Sequence, residues 1–233
     1  MIDQNNTQAI VIIGPPGAGK GTQASLLSDK LGLYYLETSK VIEKKIMFAK
    51  EGEIEIVNNK EYPLIEEKRK WETGELCSPP LVSIWVKQKI KELADRGESI
   101  VFAGTPRTLR EAEEVTPFIE ELYGKGNIKI ILFELDEKQS LWRNTHRRIC
   151  ELMRHPILFN KETEKLTMCS LDGSRLIRRE KLDDPETIKI RLKVYKKETL
   201  PVIDYFKQRK LKVFVIDASP APAEVFKKVI EVV

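Results

Sequence analysis

The sequence predicts an α/β fold built on a parallel sheet, and three observations carry that expectation. Short apolar strands alternate with helical patterns along most of the 233 residues. The first strand runs directly into a glycine-rich turn that opens a helix. Two charged, breaker-rich stretches, 38–76 and 148–184, break the alternation and read as lobes mounted on the sheet.

The elements follow in order. Ala9–Ile13 is an apolar strand, and the helix after it sets Leu26, Leu27 and Leu31 on one face before stopping at Gly32. Leu33–Leu36 reads as a second strand. Ser39 is the expected cap of the next helix, with Val41, Ile42 and Ile46 inward. Residues 50–63 are polar and read as an exposed connection. Helical segments at 64–73 and 80–96 end at Gly74 and Gly97, and Ser99–Ala103 and Ile128–Leu135 are buried strands. Asp136 starts a helix. A long one begins at Asp184-Pro185, where Asp caps and Pro takes the first helical position, and Pro201 ends or kinks it. Leu211–Ile216 is the last strand, before a helix from about Pro222. Trp71, Trp85 and Trp142 fall on helical patterns and are expected in packing.

With 41% hydrophobic and 33% charged residues, the composition suits a soluble globular chain. A net charge of +4 gives no argument for nucleic acid as a partner, though it suits a cleft for polyanionic phosphates. Residues 1–8 lack a secretory pattern, no apolar run reaches membrane-spanning length, and three cysteines make no disulfide framework. A cytoplasmic location is expected.

The strongest motif is Gly14-Pro-Pro16-Gly17-Ala18-Gly19-Lys20-Gly21-Thr22, between a strand and a helix. It matches the P-loop pattern except that Gly21 separates Lys20 from Thr22. Glycines let the backbone turn its N–H groups inward as an anion nest at a helix N-terminus. Lys20 would reach the β- and γ-phosphates of a nucleotide, and Thr22 would lie near Mg²⁺.

Four segments carry a resemblance: the loop at 14–24, Gly104-Thr105-Pro106-Arg107-Thr108, Arg143-Asn-Thr-His-Arg147-Arg148, and Asp183-Asp184-Pro-Glu-Thr-Ile-Lys-Ile-Arg191-Leu. In order and spacing they resemble the adenylate kinase family from about residue 8 onward. The resemblance implies a P-loop NTPase-type three-layer fold with a five-stranded parallel sheet. It implies a core of 1–37, 77–147 and 185–233, a monophosphate-binding lobe at 38–76 and a lid at 148–184. The implied activity is transfer of the γ-phosphoryl of ATP to a nucleoside monophosphate, with AMP first, Mg²⁺ accompanying ATP, and a monomeric chain.

By family position, Arg107 and Gly104 would hold the acceptor, Arg147 and Arg191 would flank the transferring group, and Arg143 and the backbone near Ala218 would meet the ATP base. One more lid cation is expected from Arg178, Arg179 or Lys181, and spacing does not choose among them. Guanidinium forks suit this work because they bind phosphate bidentately.

Four departures stand out. Thr38 matches the family's acceptor segment, but its arginine is Glu43 here, so Lys44, or Lys40 one turn before it, would have to supply the cation. The family's metal-orienting aspartate after the third strand is Ala103. The family's base-reading glutamine is Glu111, which as an ion only accepts hydrogen bonds and so suits guanine, unless it caps the helix after Thr108. Some relatives tie the lid with zinc through C-x-x-C and C-x-x-[CD]. This chain has Cys150-x-x-Met153 and Cys169-x-x-Asp172, with His155 two residues past Met153. Cys150, His155, Cys169 and Asp172 would form a ligand set acceptable to zinc, the alternative being a metal-free lid with buried thiols.

Two further readings remain at this stage: a kinase preferring GMP, CMP or UMP, and a catalytically weakened nucleotide-binding regulator, motivated by Ala103 and Glu43. A GTPase lacks its N-K-x-D, since Asn160-Lys161-Glu162-Thr163 fails at the last position.

Overall fold

The computed structural model of the chain describes residues 7–73, 75, 77–179 and 183–233. Residues 1–6, the stop expected at Gly74 and the lid candidate Lys181 lie outside the described residues.

The first half runs β1 (Ala9–Ile13), α1 (Lys20–Leu31), β2 (Tyr34–Leu36), α2 (Thr38–Ile46), β3 (Ile54–Val57), β4 (Lys60–Pro63), α3 (Leu64–Thr73), α4 (Pro79–Asp95), β5 (Ile100–Ala103) and α5 (Leu109–Tyr123). The second half runs β6 (Ile128–Glu134), α6 (Glu137–His146), β7 (Arg148–Cys150), β8 (Pro156–Ile157), β9 (Leu176–Ile177), α7 (Pro185–Val194), α8 (Leu200–Gln208), β10 (Lys212–Asp217) and α9 (Pro222–Val232). Five parallel strands form one sheet in the order β10-β6-β1-β5-β2. The chain switches direction across the sheet at β1, so a crevice opens at its carboxyl end.

β1 is buried on both faces, which is why it reads as an unbroken apolar run. Val11 and Ile13 join Phe102, Ile130, Val86, Ile119 and Phe206 in one cluster; Ile10 and Ile12 join Val101, Phe133, Leu27 and Val225 in another. These are the two layers on either side of the sheet. A third cluster of Ile42, Ile46, Val57, Tyr62, Leu81 and Trp85 packs α2 and the β3–β4 hairpin against α4. The Trp85 Nε1–H donates to Glu55 at 2.6 Å, satisfying the buried indole.

Four local expectations are corrected, and the break expected at Pro201 is found. Leu31 is 47% exposed, and α1 buries Gln23, Ala24 and Leu27 instead. Ser39 lies inside α2, whose cap position is Glu37. Residues 50–63 contain the antiparallel pair β3–β4, closed by Asn58 and Asn59 at φ 52° and 61°. Positive φ at both central residues is what a two-residue hairpin requires, and asparagine tolerates it. The helix from Pro185 is interrupted by a π-turn at Tyr195–Thr199, just before Pro201. Proline removes a ladder donor, and the widened turn absorbs that loss. Trp142 is 48% exposed and stacks on His146 rather than entering a core.

Candidate active site

The loop after β1 turns tightly because its neighbours leave no room for side chains. A Cβ on Gly14 would stand 2.9 Å from the Phe133 carbonyl oxygen, and one on Gly17, at φ +78°, would stand 2.6 Å from Asn144 Nδ2. The outer limb is tied to α6, where the Ser140 hydroxyl donates to the Pro16 carbonyl at 2.6 Å and Asn144 donates to the Ser140 carbonyl at 2.7 Å. Ser140 and Asn144 are fully buried. The sequence singled out neither of them. Asn144 follows Arg143 in the arginine motif, but its role depends on a partner 124 residues away from Ser140, which spacing does not reveal.

Lys20 opens α1, and its Nζ donates to the carbonyls of Gly14 and Pro15 at 2.8 and 2.7 Å. The ammonium thus closes the mouth of the loop. Burial, and then the positive fields of Arg107, Arg191 and Arg147, bring its pKa down to about 7. Four residues from four places in the sequence therefore converge on one small volume in which positive charge is in excess.

Asp183 organises part of that convergence. Its carboxylate takes paired hydrogen bonds from Arg147 (2.6 and 3.3 Å) and from Arg179 (2.8 and 3.1 Å). Burial raises the Asp183 pKa, and these two guanidinium groups outweigh it and hold the group ionised. Of the two described lid candidates, Arg179 shares this carboxylate with Arg147, and Arg178 does not. Arg191 feels the charge of Arg179, Arg147 and Arg107. Arg143 donates to the carbonyls of Ala218 (2.8 Å) and Ser219 (2.7 Å), joining α6 to the loop after β10.

On the other side of Lys20, the Arg107 Nε–H donates to the Gly104 carbonyl at 2.6 Å, and the hydroxyls of Thr38 and Thr105 lie 3.0 Å apart. Thr38 begins α2, so this contact ties α2 to the loop after β5. Glu111 accepts from the Arg107 N–H at 2.7 Å, while Thr108 accepts from the Glu111 N–H at 3.2 Å. This is a cap on α5 displaced by one residue from the usual reciprocal box. It engages one oxygen of the Glu111 carboxylate with backbone, the capping alternative weighed for this residue.

Lys44 is also placed differently from expectation. With Lys40 it lines a cavity of about 390 Å³ between α2 and α4, facing Glu92, and neither Thr105 nor Arg107 borders that cavity. Six residues along a helix turn the side chain about 240° from Thr38. Lys44 therefore faces Glu92 here, away from Thr38 and the Arg107 loop.

Within 148–179, β7 pairs antiparallel with β8 and β9, and Cys150, His155, Cys169 and Asp172 bring their ligand atoms within 4.8 Å of one another. His155 Nδ1 lies 3.7 Å from Asp172 and 4.0 Å from the Cys169 sulfur. Asp172 Oδ1 accepts from Ser174, but its Oδ2 is buried without a hydrogen-bond partner. An orphaned buried carboxylate oxygen facing two thiols and an imidazole fits a divalent cation with a taste for sulfur and nitrogen.

A glycine nest at a helix N-terminus, a lysine across its mouth and arginines gathered from three further segments define a P-loop phosphotransferase. Comparison with known proteins narrows this. The family model described as Adenylate kinase matches residues 12–211, and the chain belongs to the adenylate kinase family. It is 31% identical to an adenylate kinase of Clostridium tetani over 94% of this chain and 95% of that one. It is 33% identical to one of Staphylococcus aureus (strain Mu50) over 96% and 97%, respectively. The chain is an ATP-dependent nucleoside monophosphate phosphotransferase.

Proposed function

We propose that this enzyme transfers the γ-phosphoryl of ATP to AMP, giving two ADP. The convergence of Arg107, Arg147 and Arg191 on Lys20 carries the reading, because two polyanions must be brought together there against their own repulsion. The loop amides of Gly14–Thr22 and Lys20 cradle the ATP phosphates, and Arg143 with the Ala218 backbone borders the base. Arg107, beside Gly104 and Thr38, takes the acceptor phosphate. Arg147, Arg179 and Arg191 surround the group in transit. The acceptor lobe is 38–76, the lid is 148–184, and the core is 1–37, 77–147 and 185–233. Closing the two lobes excludes water, so transfer outruns hydrolysis.

Mg²⁺ enters with ATP and supplies positive charge to the phosphate oxygens. The Thr22 hydroxyl, without a protein partner among the described residues, is the side chain that fits beside it. In the lid, Cys150, His155, Cys169 and Asp172 would hold Zn²⁺, which supplies a cross-link between the strands. AMP as acceptor is supported by what the relatives are named for, and by Glu111 being held on the Arg107 N–H rather than free to select guanine. The chain acts as a cytoplasmic monomer; among the described residues no helix is long and apolar enough to cross a membrane.

A coupled assay with ATP, Mg²⁺ and each of the four monophosphates tests the reading. AMP should give the highest kcat/KM, and Lys20→Met should lower kcat by about a hundredfold or more. Nucleotide binding without turnover of any monophosphate would instead identify a regulator, the outcome that Ala103 and Glu43 motivate.

A further inference from the structure

In P-loop enzymes the hydroxyl beside the metal works with a carboxylate at the end of a neighbouring strand. The neighbouring strand here is β5, and it ends in Ala103, whose methyl group cannot hold a metal-bound water. We propose that Glu37, the extended residue between the adjoining strand β2 and α2, supplies that carboxylate and acts as the positioning residue for Mg²⁺ and its waters.

The sheet register sets it there. β2 pairs with β5 through Tyr34–Ile100, Tyr35–Val101 and Leu36–Phe102, and the next step in the same register puts Glu37 beside Ala103. Paired residues of parallel strands present their side chains to the same face, and alternate residues of one strand share a face. That face is already identified: Tyr35, Val101 and Ala103 belong to the layer beneath α1. Tyr35 also shows what the face looks toward, since a Cβ on Gly21 would stand 3.3 Å from the Tyr35 hydroxyl. Gly21 lies between Lys20 and Thr22. The next position along β2 that turns to the same face, two residues on, is Glu37.

The electrostatics agree with this placement. Burial, and then the negative charge of Glu37, push the Tyr35 hydroxyl up to about 12, while Arg107 acts in the opposite sense. Glu37 and Arg107 therefore both act at one tyrosine, and Thr38, the very next residue, touches Thr105 in the Arg107 loop. Glu37 is ion-paired with Lys40 and borders the same cavity between α2 and α4, so the Lys40 side chain, 73% exposed, has to move aside for the carboxylate to turn toward the loop. Glutamate is also one methylene longer than aspartate, which helps it to work from one strand further out, since neighbouring strands stand about 4.8 Å apart.

The inference rests on the glycine loop being the ATP site. It is tested on the full chain with Mn²⁺ as the probe, free Mn²⁺ being read by electron paramagnetic resonance in the presence of a non-hydrolysable ATP analogue. Glu37→Gln should weaken Mn²⁺ binding by about tenfold, and the double variant Glu37→Gln/Ala103→Asp should recover most of that loss. Mn²⁺ affinity within twofold of the unaltered chain, or a loss that Ala103→Asp does not restore, overturns the assignment while leaving the ATP site intact. Should the unaltered chain fail to bind the analogue, the ATP site and this assignment fall together.

Discussion

Lys20 shows how much of the site is written in a single side chain. Its pKa of about 7 means that the unliganded enzyme holds the ammonium only weakly protonated near neutrality. Phosphate oxygens in the loop restore the charged form, so binding above pH 7 must take up a proton. ATP affinity should therefore fall as pH rises past about 7, by up to about tenfold per unit. Calorimetry in buffers of different ionisation enthalpy should show close to one proton absorbed at pH 8, and no proton linkage there would refute the shift. The sign for folding is opposite. The unfolded lysine keeps its proton to higher pH, so this residue adds to the stability of the empty enzyme as pH climbs above 7. Lys20 and the glycines were legible in the sequence because they follow the strand at fixed offsets. Asp183 was visible only as part of a motif, and Ser140 and Asn144 not at all, because a buried polar group acquires its meaning from the partners that folding brings to it.

At the scale of elements, the cap on α5 does two jobs, since the Glu111 carboxylate holds the backbone of Arg107. Glu111→Ala should cost about 1 kcal/mol of stability, and it should raise KM for the monophosphate several-fold with little change in KM for ATP. Equal changes in both constants would show that the cap does not govern the acceptor side. The residue 148–179 segment buries only Ile149, Cys150 and Cys169 among its described residues. One equivalent of zinc should be found by elemental analysis, and Cys150→Ser should abolish it. Chelation should then speed hydrogen exchange in 148–179 while leaving β1 and β6 unchanged. The central strands β1, β5 and β6 were readable because burial on both faces makes continuous apolar runs. The β3–β4 hairpin was not, since Ile54 and Ile56 point toward water and, with Glu53 and Glu55 beside them, read as a polar loop. Asn58-Asn59 was the signal available there.

Across the whole molecule, the proposed division into a sheet core, an acceptor lobe and a lid sets how the enzyme should respond to ligand. A bisubstrate compound joining two adenosines through five phosphates spans both nucleotide sites. It should reduce the radius of gyration measured by X-ray scattering and raise the melting temperature, whereas AMP alone should do much less. An unchanged radius at saturation would argue against lobe closure. The alternation of strands and helices made a parallel sheet predictable but not the order of its strands, and the glycine loop after the first strand marked the site. The side on which α2 presents its lysines was not predictable, because one turn of helix decides it and only the packing of Ile42 and Ile46 fixes that turn.

The sparse interior of the 148–179 segment has a consequence for how this enzyme can change over generations. With the proposed cation on Cys150, His155, Cys169 and Asp172, such a lobe would lean on four donor atoms more than on packed side chains and would ask little of its remaining positions. Leu152, Met153, Leu158 and Leu171 all face water. Drift at such sites should be nearly neutral, so lineages can remodel the outer skin of the segment freely. Loss of any one donor, by contrast, would have to be matched at once by a new internal bond.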